Sequence, residues 1–122
     1  MLLHSAQNLC PKLMVLPYDF DAYARISNEM FKVLMEFVHP EYVMAVSVDE
    51  AIVDITAFLN SDTATSSHDE RESRTLSVCR KIRKTIFERT ECSASIGASH
   101  NILLARYAPR PYSSLILFKA TN

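Results

Sequence analysis

The stretch "YVMAVSVDEAIVDIT", residues 42–56, decides the fold, because two apolar runs flank an adjacent pair of carboxylates. Residues 42–48 and 51–56 are rich in β-branched and other apolar residues, which is typical of strands. Neighbouring side chains of a regular strand point to opposite faces, so Asp49 and Glu50 converge only where a turn breaks the alternation. We therefore predict an antiparallel hairpin whose turn carries both acids.

The residues before this hairpin predict a helix, a strand and a longer helix. Residues 2–9 are predicted to end a helix at Cys10, because a residue that precedes a proline is disfavoured in the helical region. The apolar residues 13–16 lie between two prolines and are predicted as a buried strand. Apolar side chains then recur at the helical period until Pro40 ends the second helix. Its predicted inner face consists of Phe20, Tyr23, Met30, Leu34 and Phe37.

The second half of the chain predicts a loop, a helix, a strand and a final helix. Residues 57–73 are mostly polar and predict a loop, within which Asp69 and Glu72 fit a helix N-terminal cap. Residues 93–97 are predicted as a strand and residues 100–107 as a helix. The helix after the cap is predicted to turn four side chains inward: Leu76, Cys79, Ile82 and Ile86.

The order of these elements, β-α-β-β-α-β-α, predicts the α+β class. Such an order suits a ferredoxin-like antiparallel or mixed sheet with helices packed on one face. A chain of 122 residues is about one domain. Its single glycine, Gly97, is unusual for turns and helix ends. Either other residues form the turns, or the chain is part of a fold whose turn-rich pieces lie elsewhere.

Composition excludes several classes of protein. The net charge of −1 argues against a strong autonomous grip on nucleic acid, which normally requires a basic surplus. No apolar run is long enough to span a membrane, and no secretory signal is evident. Three cysteines without CxxC spacing favour a reduced, intracellular protein and indicate neither a zinc site nor a disulfide framework.

The acid pair in the predicted turn has two interpretations. An SxDE sequence between apolar runs is most often a solvated turn. Carboxylates on a rigid platform also suit Mg²⁺, which takes one or two protein carboxylates together with substrate phosphates and waters. Two such ions clamp the attacking and leaving oxygens in nucleotidyl transfer.

Three segments, in this order and at these separations, resemble the palm of Y-family (UmuC-like) translesion DNA polymerases. They are "LCPKLMVLPYDFDAYARIS", "VSVDEAIVDIT" and "CSASIGASHNILLAR", and the resemblance covers residues 1–107. Within the family, "YDF", "AIVDIT" and "NILLAR" are most similar to the eukaryotic deoxycytidyl-transferase branch. The resemblance implies a partial polymerase palm, followed by a divergent tail at residues 108–122.

The resemblance also implies a chemistry and its residues. It implies Mg²⁺-dependent nucleotidyl transfer to a primer 3′-hydroxyl opposite damaged template DNA, with primer–template DNA and a deoxynucleoside triphosphate as partners, in the nucleus. Asp49 and Glu50 match the second metal-binding acidic motif and are the expected catalytic and metal residues. The expected substrate-positioning residues are Ser47 and Arg110. A basic helical face is a candidate for DNA phosphate contacts, with a solvated surface as the alternative: Arg80, Lys81, Arg83 and Lys84.

The sequence also departs from the family. The first acidic motif is expected before residue 1. After residue 107 the chain departs from the family's lysine-containing segment that ends in Lys-Pro, with Arg110 near the expected place. We therefore expect a fragment or short isoform of a translesion polymerase, inactive by itself, with an incomplete two-metal site. The alternatives are a non-catalytic truncated palm and a small α/β binding domain. An exposed sheet edge would favour self-association, and the apolar residues 115–118 are expected to form a replacement strand.

Overall fold

The computed structural model describes residues 1–60, 68–107 and 114–118 and contains helices and strands in mixed order. A short 3-10 helix, Pro40–Tyr42, precedes the first strand. The elements in chain order are α1 (Leu3–Leu9), α2 (Phe20–Phe37), β1 (Val43–Ala45), β2 (Ala51–Asp54), α3 (Thr56–Asn60), α4 (His68–Thr90), β3 (Ser95–Ser99), α5 (Ile102–Tyr107) and β4 (Ser114–Phe118).

The strands form one four-stranded mixed sheet in the order β1-β2-β4-β3. β1 and β2 pair antiparallel, with Val43 opposite Val53 and Ala45 opposite Ala51. β4 lies between β2 and β3 and pairs with both in parallel. The predicted hairpin and the predicted strand at residues 115–118 are therefore confirmed, and β4 closes the sheet between strands that would otherwise not pair.

The main core lies between one face of the sheet and the helices α2 and α4. β2 contributes Ala51 and Val53 to it, and Ile55 follows on the same face, as the two-residue period of a strand requires. The helices contribute Val33, Leu34, Val78, Cys79, Ile82 and Ile86. This arrangement confirms the predicted α+β class, with a mixed sheet and the long helices on one face.

The opposite face of β2 packs against α5. Ile52 lies between Ala51 and Val53 and forms a small apolar cluster with Ala105 and the half-buried Ile102. Successive residues of β2 point to opposite faces of the sheet and are apolar on both. Helices therefore cover the strand on both faces. β2 thus contributes to the apolar clusters on both faces of the sheet.

The predicted buried strand at residues 13–16 is wrong. These residues form no strand, and Met14 and Leu16 are 79% and 76% exposed. An apolar run becomes a buried strand only if a neighbour pairs with its backbone and a helix covers it. Pro11 and Pro17 each remove a backbone N–H donor beside this run, so it is poorly suited to a ladder.

The predicted helix faces are correct toward the middle of each helix and wrong toward some ends. Met30, Leu34 and Phe37 belong to the core, whereas Phe20 is 71% exposed and Tyr23 is also exposed. On α4, Cys79, Ile82 and Ile86 are buried as predicted. Leu76 is 47% exposed, and the sequence interpretation missed the buried Val78. Periodicity gives the angle of an apolar stripe, but the length over which a partner covers it is a tertiary property.

The predicted loop at residues 57–73 contains two helical segments. α3 begins at Thr56, and α4 begins at His68, one residue before the predicted cap. The remaining residues, 61–67, lie outside the described part of the chain. Asp54, which ends β2, accepts a hydrogen bond at Oδ1 from the Thr56 amide at 2.8 Å. This carboxylate therefore stabilises the start of α3.

An ion pair joins the two long helices at the surface. Arg89 on α4 donates from both terminal nitrogens to the two carboxylate oxygens of Glu36 on α2, at 2.6 and 2.8 Å. The hydrogen bond and the charge of Glu36 raise the pKa of Arg89. A bidentate guanidinium–carboxylate pair fixes geometry as well as adding energy, so it sets how α4 crosses α2.

The end of α4 shows how the chain makes a turn without glycine. Glu91 follows the helix with φ = 58°, and its amide donates to the carbonyl of Phe87 at 2.8 Å. This is the left-handed helix end that glycine normally occupies, because a Cβ is unfavourable there. A non-glycine residue therefore carries the conformational cost at this junction.

Glu91→Gly is expected to raise the free energy of unfolding by about 0.5–1 kcal/mol, because it removes the Cβ from a left-handed conformation. Ser77→Gly, at an exposed position inside α4, is expected to lower it by about 0.5 kcal/mol. Urea denaturation followed by circular dichroism measures both changes. Stabilisation by neither or by both variants would contradict the assigned helix end.

Leu34→Ala is expected to destabilise the protein by about 2–5 kcal/mol, because Leu34 is fully buried between α2, α4 and the sheet. The neighbouring Met35 is exposed, so Met35→Ala is expected to cost less than about 1 kcal/mol. The same denaturation experiment compares the two variants. Equal losses would mean that α2 does not pack by the face described.

Candidate active site

The turn between β1 and β2 is held by its own backbone. The amides of Val46 and Ser47 both donate to the carbonyl oxygen of Glu50, at 2.9 and 3.1 Å. This shared acceptor closes residues 46–50 into a tight connection between the two strands. Both predicted carboxylates therefore lie where the sequence interpretation expected them, at the end of the hairpin.

Asp49 is held by Ser47. The Ser47 hydroxyl donates to Asp49 Oδ1 at 2.6 Å, and the Asp49 amide is 3.4 Å from the same hydroxyl oxygen. Both side chains are exposed. A serine two residues before an aspartate can bind it in this way only if the chain bends between them, so the contact depends on the turn. Ser47 is accordingly a positioning residue for the Asp49 carboxylate.

Glu50 has a different partner. Its carboxylate Oε1 accepts a hydrogen bond from a terminal nitrogen of Arg106 at 3.3 Å, and its side chain is 19% exposed. Arg106 belongs to α5, which packs on the Ile52 side of β2. Because Glu50 and Ile52 are two residues apart, both are directed to the α5 side. The pair thus links the acidic turn to the helix that follows β3.

Sequence reasoning did not assign Arg106 to the site. It lies in "NILLAR", one of the segments that carried the resemblance, but 56 positions separate it from Glu50. A helical arginine near a carboxylate so distant in sequence gives no local signal. The sequence predicted only a helix at residues 100–107.

A wide apolar cavity adjoins Asp49 on the other side. It has a volume of about 480 Å³ and lies between α2, the end of α4 and the turn. Tyr23, Met30, Val48, Asp49, Ile86 and Cys92 are among its lining residues. The two acids therefore border different surroundings: an apolar cavity beside Asp49 and a guanidinium beside Glu50.

The donor chemistry of the turn suits Mg²⁺ only in part. Carboxylate oxygens are the ligands this ion prefers, and one or two of them suffice when substrate phosphates and waters supply the rest. Within residues 1–60 and 68–107, no group of three or more His, Cys, Asp and Glu side chains could hold a metal ion. Arg106 also engages one of the two carboxylates. Asp49 and Glu50 thus carry the type of donor that this ion prefers, and their role as metal ligands stays a prediction.

The other candidate residues lie apart from this turn. Arg80, Lys81, Arg83 and Lys84 are exposed on α4, as predicted for an outward face. Arg83 Nε donates to the carbonyl of Ala94 at 2.8 Å, and Lys84 lies 3.6 Å from Glu88. Arg110 falls outside the described residues. The predicted roles of these side chains in substrate positioning and phosphate contact stay predictions.

Arg106→Gln is expected to strengthen Mn²⁺ binding at the acidic turn roughly fivefold, because removing a nearby unit charge relieves on the order of 1 kcal/mol of competition in water. Electron paramagnetic resonance titration of free Mn²⁺ measures the change. Lys81→Gln removes the same charge from exposed α4 and is the control. Equal effects of the two variants, or binding retained by Asp49→Ala/Glu50→Ala, would contradict this assignment.

Comparison with known proteins identifies the family. The impB/mucB/samB family model matches residues 1–110. The chain is 38% identical over 110 residues to the DNA repair protein rev1 of Schizosaccharomyces pombe, covering 90% of the chain and 11% of that relative. It is 34% identical over 110 residues to the DNA repair protein REV1 of Arabidopsis thaliana, covering 90% of the chain and 9% of the relative.

Bacterial relatives match the same region. The chain is 35% identical over 103 residues to DNA polymerase IV 1 of Bacillus subtilis, covering 84% of the chain and 22% of the relative. The chain thus spans about a tenth of the eukaryotic relatives and about a fifth of this bacterial one. No solved structure matches it significantly. Within the described residues, no helix has both the length and the apolar character needed to cross a membrane. The match over residues 1–110 and these relatives place the chain in the impB/mucB/samB family, the UmuC-like Y-family that its sequence resembles.

Proposed function

We propose that this chain is part of the palm of a translesion DNA polymerase and carries the second acidic motif of its metal site. The acidic turn supports this proposal, because Ser47 positions Asp49 and Arg106 positions Glu50 at the end of a hairpin whose second strand, β2, is buried. Relatives named as DNA repair proteins and DNA polymerases share this part of the chain. The partners proposed are primer–template DNA and a deoxynucleoside triphosphate, and the proposed location is the nucleus.

The residues of the turn prepare carboxylates for divalent ions without completing their site. Two Mg²⁺ ions, when bound, would stabilise the attacking and leaving oxygens of nucleotidyl transfer. Asp49 and Glu50 would supply part of their coordination. The Ser47 hydroxyl restricts where the Asp49 carboxylate lies, and the Arg106 guanidinium offsets the charge of Glu50 in a partly covered position.

We further propose that the chain by itself does not catalyse the reaction. The supporting observation is that the described residues provide two carboxylates with separate partners and no third acidic, histidine or cysteine ligand nearby. Because each Mg²⁺ takes one or two protein carboxylates beside phosphates and waters, Asp49 and Glu50 together suit one ion better than two. A non-catalytic palm is thus the second candidate function, and the Glu50–Arg106 pair favours it.

Primer extension by the purified, folded chain with Mg²⁺ and the four deoxynucleotides is expected to give no product above that of Asp49→Ala/Glu50→Ala. The physical reason is the incomplete ligand set, which leaves the charge of the transferring phosphates uncompensated. Denaturing gel electrophoresis of a labelled primer measures the product. Ser77→Ala, on the exposed surface of α4, controls for the effects of substitution alone.

Extension that requires Mg²⁺ and disappears in the double variant would refute the non-catalytic proposal and support the acids as a working site. Extension that persists in the double variant would refute the assignment of Asp49 and Glu50. Circular dichroism of each variant confirms that an absent product does not come from unfolding.

A further inference from the structure

A second concave site lies on α4, on the far side of residues 93–94 from the apolar cavity. It has a volume of about 290 Å³. Three cationic side chains and one aromatic ring line it together with the segment that leads into β3: Arg80, Arg83, Lys84, Phe87, Ser93 and Ala94. No carboxylate is among its lining residues. The site is therefore a basic concavity with an apolar wall.

Positive charge is concentrated here although the whole chain is nearly neutral. Residues 80–90 contain five basic residues and one acidic residue, whereas the chain carries a net charge of −1. Arg89 is neutralised by Glu36, and the others remain on the exposed side of α4. The net charge of the chain therefore does not show the local surplus of positive charge on α4. An anionic ligand within a Debye length of this surface interacts with that local surplus.

The cations of the site are available to a ligand. No hydrogen bond or ion pair within the described residues engages Arg80. Arg83 uses its Nε–H on the carbonyl of Ala94 at 2.8 Å, which fixes the guanidinium while leaving its terminal N–H donors. The pair of Lys84 with Glu88, at 3.6 Å between exposed side chains, is too weak to withhold the ammonium from a phosphate.

Phe87 distinguishes among possible anions. Its side chain is 55% exposed beside the cations, although burial of this ring against the core would be favourable. An acidic peptide needs no such ring, and bases inside a duplex have their faces covered by their neighbours. An unpaired base presents a free face that can stack on Phe87 while its phosphates contact the cations, which is how single strands are held.

We propose that this concavity is a single-stranded nucleic-acid site in which Arg80, Arg83 and Lys84 contact consecutive phosphates and Phe87 stacks on a base. The site is separate from the acidic turn, and binding there does not require nucleotidyl transfer. Ser93 and Ala94 line both this site and the cavity that reaches Asp49. A strand held on α4 would accordingly lie next to that cavity.

Fluorescence anisotropy of a labelled oligodeoxythymidylate of about 12 nucleotides tests the proposal, since single-strand sites span about 4–16 nucleotides. The titration is done without metal ion or nucleotide, so its outcome is independent of primer extension. Each phosphate contact to a single strand contributes about −0.7 to the slope of log affinity against log salt. Arg80→Gln/Lys84→Gln is therefore expected to reduce the magnitude of that slope by roughly 1.4.

Two matched controls separate the site from general charge. Lys12→Gln/Arg25→Gln removes the same charge from exposed positions outside the concavity and is expected to change the slope by less than half as much. Phe87→Leu keeps an apolar side chain but removes the ring, and is expected to weaken binding roughly tenfold. Phe87→Tyr keeps an aromatic ring and is expected to retain the binding affinity. A duplex of equal length is expected to compete poorly.

Three results would overturn the proposal: no binding at low ionic strength, equal effects of the two double variants, or an unchanged affinity in Phe87→Leu. Competition by polyglutamate as strong as that by the oligonucleotide would assign the surface to acidic proteins and would also overturn it. Circular dichroism confirms that each variant is folded before its affinity is compared.

Discussion

The burial of β2 on both faces is the constraint on which the rest of the structure depends. Ala51, Val53 and Ile55 pack against α2 and α4, while Ile52 packs against α5. A strand with apolar side chains on both sides is stable only when helices cover both. β2 also has a paired strand along each edge. β1 pairs with it through the tight turn, and β4 pairs with its other edge.

The acidic turn inherits its geometry from that strand. Ala51 is directed into the core, so Glu50 must be directed to the α5 side, where Arg106 meets its carboxylate. Asp49 lies one residue further into the turn and is held locally by Ser47. The difference in partners is therefore a consequence of strand alternation, and it gives the two acids unequal surroundings.

The helices α2 and α4 each have an apolar face in the core and a polar face outside it. Their inner stripes form the core, and Arg89 joins them through Glu36. The basic residues of α4 are left outside, beyond the area that α2 covers. At the end of α4, the left-handed conformation of Glu91 turns the chain so that residues 93–94 lie beside Arg83. The hydrogen bond from Arg83 to the carbonyl of Ala94 holds this segment in place. The basic concavity exists because this return places backbone next to the charged face.

Sequence reasoning predicted the hairpin, the turn that carries the acids, the family and the central parts of both long helices, because each has a local signal. Alternation and β-branching indicate strands, and proline ends a helix. A family motif is a short continuous segment that can be identified directly in the sequence. It failed for residues 13–16, for Phe20 and for Leu76. In these cases the side chains were correctly identified as apolar, but within the part of the chain that the structure describes they stay largely exposed.

The sequence by itself determined which residues are apolar, where the turn falls and that two acids lie in it. Only the tertiary structure decided that β4 lies between β2 and β3, that Arg106 binds Glu50 and that the basic residues of α4 border a concavity with Phe87. The physical reason is that the first two join residues far apart in the chain, and the third depends on how the chain turns back after α4. Their free energy depends on loop closure and on the burial of several elements at once, which no local pattern records.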